Sequence, residues 1–118
     1  MCHLQNTLVD DLPLNKGVSV ITHNEDGLLA LEKPTGLMSH PNTSKDSKKS
    51  ILSANYDLKE QCYKWINSSG VINCAWLINR LDSPTSGIIL LGLNSAISDS
   101  IKVEFASRNV RKLYYAIV

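Results

Sequence analysis

No stretch of this chain is apolar for the roughly 20 residues that a membrane-crossing helix needs. The N-terminus, MCHLQNTLVDDLPLNKG, lacks a basic start followed by an apolar core, so no secretory leader is read there and the cytoplasm is the expected compartment. Cysteine is scarce. Cys2, Cys62 and Cys74 are odd in number and show no C-x-x-C spacing, which argues against both a disulfide framework and a zinc knuckle. His3, His23 and His40 are scattered in the same way, and no metal site is expected from them. Internal repeats and low-complexity tracts are also missing.

What is present fits an ordinary folded domain. A chain of 118 residues with 43% hydrophobic and 19% charged side chains is one domain at most, able to bury about 65% of its unfolded surface. The net charge of +1 hides an asymmetry: residues 1–43 carry −3 and the remainder +4. Two basic clusters, SKDSKK at 44–49 and RNVRK at 108–112, account for much of the second figure. Taken singly they are solvated faces; together they are also what a phosphate backbone requires.

Periodicity gives a coarse map. VSVIT (18–22) and LLALE (28–32), separated by HNEDG, read as a hairpin. KPTGLMSHPNTSKDSKK (33–49) reads as an irregular segment or exposed loop. In DLKEQCYKWINSSG (57–70), Leu58, Cys62 and Trp65 lie near helical spacing, with Asp57 as N-cap and Gly70 beyond the end, so a short helix is expected. GIILLGL (87–93) reads as a strand buried on both faces. A helix follows, capped by Asn94, with Ile97, Ile101 and Phe105 on one face, and KLYYAIV (112–118) closes the chain as a strand.

The stretch INRLDSPTSGIILL (78–91) places Arg80 and Asp82 two residues apart, before a turn and an apolar run. On an extended strand they share a face and can pair, the arginine offsetting the cost of a carboxylate at the core's edge. Taken alone this is an ordinary ion pair at a strand end, with Thr85 and Ser86 satisfying the turn.

Three blocks occur in order: LALEKPTGLMSHP, NRLDSPTSGIILL and RNVRKLYYAIV. Over about residues 18–118 the chain closely resembles the RluA-type pseudouridine synthases. The resemblance implies an α+β catalytic domain with a mixed, mainly antiparallel sheet and flanking short helices, preceded by an N-terminal extension at 1–17. It implies isomerisation of uridine to pseudouridine in ribosomal or transfer RNA, with no metal and no organic cofactor.

By the same resemblance Asp82 is the essential carboxylate, kept ionised by Arg80. Tyr114 lies against the target base and handles the proton at its carbon-5; on spacing alone it is a core aromatic. Lys112 faces the RNA or supports the pocket, and Thr85 contacts substrate. Lys33 either reaches phosphate or, with Pro34 and Gly36, fixes the K-P-x-G turn, and His40 continues that block with the same two readings. Asn79 stands where the family commonly has histidine.

The chain stops at Val118, before a later basic motif of the family. The expectation is therefore the N-terminal part of a catalytic domain, incomplete at its C-terminus and weak or inactive alone. Self-association or a partner chain could cover its sheet edge. The alternative is a catalytically silent RNA-binding or protein-interaction remnant of the same fold.

Overall fold

Leu29 and Leu31 are separated by Ala30 and followed by Glu32, and Ile89 and Leu91 lie two apart in the apolar run 87–92, so each segment can bury one face as a strand. The structure, a computed structural model, describes residues 11–114. Its strands are β1 (Ser19–His23), β2 (Leu28–Lys33), β3 (Asn55–Asp57), β4 (Cys62–Ile66), β5 (Ile72–Leu77) and β6 (Gly87–Gly92), joined in one six-stranded sheet of order β1-β2-β6-β5-β4-β3. Every pairing of these strands is antiparallel. The parallel element of the expected mixed sheet is reduced, among the described residues, to an isolated bridge between Met38 and Ser50. Among the described residues one helix, α1 (Ser95–Ala106), follows β6, and one 3-10 segment, Ser44–Lys49, carries the first basic cluster.

The core lies on one face of the sheet. Leu29, Leu31, Ile89 and Leu91 are fully buried there, covered by Leu12, Val18, Ile51, Leu52 and Ala54 from the irregular segments. Burying each such side chain stabilises the fold by about 1.5–3 kcal/mol. The other face of β6 is open: Ile88 is 55% exposed, so the strand read as buried on both sides is buried on one. The helix α1 covers only part of that side, against β5 and β6, and buries only Ser98 completely.

The hairpin turns are built alike. Asn24 accepts through its side chain from the amides of Asp26 and Leu28, and Asn67 from those of Ser69 and Val71. An asparagine amide oxygen closes such a turn without help from the rest of the fold. Asn94 caps α1 as expected, accepting from Ile97 N at 2.9 Å.

The short helix expected over 57–70 is absent. Asp57 does accept two amides, of Lys59 and Glu60, but they belong to a turn, and Gln61 at φ +58° ends any helical path. Beyond it the chain enters β4, where Tyr63 is fully buried, its hydroxyl donating to the Ser39 carbonyl. Tertiary burial of an aromatic side chain outweighs a weak helical period. The expected closing strand falls mostly on 115–118, outside the described residues; Arg111 to Tyr114 are irregular.

At Gly92 the helix approaches the sheet closely. A Cβ there would overlap the Ser98 hydroxyl and come within 3.2 Å of the Asn94 carbonyl. Gly92→Ala should therefore destabilise the chain by about 1–3 kcal/mol, read as a lower urea midpoint at unchanged slope.

Candidate active site

Two loops carry the matched blocks, and the sheet order makes them neighbours. Strand β2 lies beside β6, so residues 34–41, which leave β2, meet residues 78–86, which precede β6. Lys33 continues the inward alternation of Leu29 and Leu31 and is fully buried. Its ammonium donates to the carbonyls of Pro34 at 3.0 Å, Leu37 at 2.6 Å and Ser83 at 3.0 Å. Burial lowers its pKa and the nearby Asp82 carboxylate opposes that shift. The three ammonium protons of the buried Lys33 are thus engaged by backbone carbonyls of the two loops.

Further bonds cross between the loops. Gly36 N donates to Ser83 O at 2.7 Å, and the Thr35 hydroxyl donates to Pro84 O at 2.7 Å. Ser39 makes a reciprocal pair with Leu81, its hydroxyl donating to Leu81 O at 2.7 Å and accepting from Leu81 N at 2.8 Å. Gly36, at φ +95°, adopts a conformation that L side chains rarely take.

Asn79 anchors the other side. Its side chain accepts from Leu90 N at 2.6 Å and donates to Ile88 O at 3.1 Å, standing in for a strand backbone where β5 has ended. Asn79 thus ties the loop to β6. The result is a rigid turn, closed by Thr85 N donating to Asp82 O at 2.9 Å, with the Asp82 side chain exposed at its tip.

Arg80 does not pair with Asp82. The chain is no longer a strand at these positions, and the Arg80 guanidinium instead lies 3.4 Å from His40 Nε2. Asp82 is exposed rather than at the core's edge, so its carboxylate needs no partner to offset burial. The His40 ring stacks on Tyr56, with centroids 4.6 Å apart and planes 6° from parallel, and Tyr56 meets Tyr63 edge-on at 4.8 Å.

Tyr56 is pushed up to about 12, chiefly by burial, with Arg80 opposing. The folded chain therefore holds this proton more tightly than the unfolded one, whose phenol titrates near 10. The linked stability is complete below pH 10 and lost as pH rises to about 12. Urea midpoints should fall across that window, and Tyr56→Phe should flatten the fall.

Arg80 is also among the residues that line a groove of about 590 Å³, with Ile88, Phe105, Arg111, Lys112 and Tyr114. Lys112 Nζ sits 5.3 Å from the Phe105 ring centroid, and Tyr114 is 65% exposed. Asp82 is not among the lining residues. Cations and an exposed aromatic ring suit a polyanion whose bases can stack. Among the described residues no group of three or more His, Cys, Asp or Glu side chains is placed to hold a metal ion.

Residues 27–118 match the family described as RNA pseudouridylate synthase. The chain belongs to that family. Among the pseudouridine synthases it is 34% identical to tRNA pseudouridine synthase C of Haemophilus ducreyi, over 83% of this chain and 36% of that protein. It is 29% identical to the dual-specificity RNA pseudouridine synthase RluA of Escherichia coli, over 84% of this chain and 39% of that one. An uncharacterized RNA pseudouridine synthase of Aquifex aeolicus is 26% identical over 93% of this chain and 33% of its own length. The chain thus spans 33% to 39% of the length of these relatives. No solved structure matches it.

Within this chain, the K-P-x-G and R-L-D blocks are two halves of one cross-braced unit. Sequence reading missed Ser39, Tyr56 and Tyr63, whose parts depend on contacts with other segments of the chain, 42 residues away for Ser39 and 24 for Tyr63. It also missed the burial of Lys33, although the alternation Leu29, Leu31, Lys33 pointed inward.

Proposed function

We propose that this chain isomerises uridine to pseudouridine in transfer or ribosomal RNA, working in the cytoplasm where that RNA resides. The supporting observation is Asp82, exposed on a turn that Lys33, Thr35, Gly36 and Ser39 hold from below, in the R-L-D-x-x-T-S-G context of the family. The reaction breaks the bond from N1 of uracil to C1′ of ribose and forms one from C5 to C1′. The C5 proton leaves and N1 regains a proton, so the atoms balance without a cofactor.

Asp82 supplies the carboxylate, as nucleophile at the sugar or as base toward it; both roles use the anion. Extruding a base from its stack costs a few kcal/mol. Phosphate contacts from Arg80, Arg111 and Lys112 along the groove offset that cost, with the Tyr114 ring offering a surface for the base. His40 acts through Arg80 in this reading, and Thr85 shapes the turn beside the uridine.

The test is release of tritium from RNA labelled at uracil C5. Release by the chain above background is expected. A folded chain that binds RNA with steep salt dependence and releases none would support the second reading, a silent RNA-binding domain, which the absence of Asp82 from the groove lining favours.

A further inference from the structure

We propose that His40 is a positioning residue for Arg80, acting as a neutral imidazole protonated on Nδ1 that holds the guanidinium of this groove-lining arginine. The inference rests on the RNA-directed reading for its consequence but not for its geometry. Arginine has donors only, so the 3.4 Å contact makes His40 Nε2 the acceptor and leaves that nitrogen without a proton. Nδ1 lies 3.1 Å from the Pro41 carbonyl, which only accepts, so the ring proton sits there. A single neutral tautomer satisfies both partners. An imidazolium would satisfy Pro41 alone and place a second cation against Arg80.

The ring's orientation is set from both loops. Tyr56, on β3, covers its face, and Tyr63, on β4, fixes Tyr56 from the side. Tyr63 also donates to Ser39 O, one residue before His40, while the Ser39 hydroxyl grips the backbone of Leu81, one residue after Arg80. The facing groups are thus Arg80 from the 78–86 loop, Tyr56 from β3 and, behind it, Tyr63 from β4. Arg80 is consequently presented to the groove shared with Arg111, Lys112 and Tyr114 in one preferred position, which lowers the ordering cost of binding a phosphate there.

Two measurements test this. In the free chain, nitrogen-15 spectra should show Arg80 guanidinium signals with restricted rotation, and these should be lost in His40→Phe, which keeps the stack on Tyr56. Restricted signals that survive this substitution would overturn the proposal.

The second measurement is a double-mutant cycle on affinity for a uridine-rich single-stranded RNA oligonucleotide. His40→Phe should weaken binding about tenfold in the parent and have no effect in the Arg80→Ala background. Equal losses in both backgrounds would show that His40 is only structural. If the parent binds no RNA, the functional reading fails, and the spectra still decide the pairing.

Discussion

Replacing Lys33 by methionine, which keeps the volume and removes the donors, should lower stability by about 3 kcal/mol, a large share of the roughly 5–15 kcal/mol typical of a domain. The carbonyls of Pro34 and Leu37 would lose a buried charge-assisted bond, whereas that of Ser83 would keep the Gly36 amide. Each buried carbonyl left without a donor costs about 1–3 kcal/mol. Relief of the buried charge offsets part of this, since burial already disfavours the ammonium. Arginine should not rescue the fold, because its planar fork cannot meet three carbonyls converging on one nitrogen. Urea denaturation gives the stability, and amide exchange at Gly36 should accelerate well before global unfolding. Unchanged stability with weakened RNA binding would show instead that Lys33 reaches phosphate.

Asp82→Asn should reduce tritium release by about 1,000-fold while leaving fold and RNA affinity nearly intact. The side chain is exposed and enters none of the hydrogen bonds or ion pairs among the described residues, so its neutral isostere disturbs no packing. Loop position is kept by backbone groups, Leu81 on Ser39 and Ser83 on Lys33 and Gly36, which the substitution does not touch. A loss of rate with stability unchanged within about 0.5 kcal/mol would isolate chemistry from folding. Equal turnover by parent and variant would remove Asp82 from the reaction.

The comparison of sequence and structure divides along range of contact. The first hairpin was legible because Asn24 and Gly27 encode its turn locally, and α1 because Asn94 caps it without help from elsewhere. The segment 57–70 misled because Leu58, Cys62 and Trp65 mimic a helical period, while the deciding contact, Tyr63 on Ser39, spans 24 residues. Arg80 and Asp82 were read as a pair from a strand geometry that ends at Leu77, where Asn79 takes over the bonding to β6. The three blocks located the candidate site, but nothing in their order told which side chains face water. Lys33 went inward, and Arg80 turned to a histidine forty residues earlier in the chain.

The strand order also sets how the site comes into being as the chain folds. Strands β1 and β2, and β4 and β5, can zip locally, but β2 must then find β6 across the intervening hairpin, and Lys33 must find Ser83 fifty residues on. Closing so long a loop is entropically slow, and non-local pairings of this kind govern folding rate more than stability. The same closure brings Thr35 to Pro84 and Ser39 to Leu81, so the carboxylate's platform is assembled in the step that completes the middle of the sheet. A partly folded chain with both hairpins intact carries no site at all. Thermal opening of the β2–β6 seam would therefore abolish function while leaving most local structure standing.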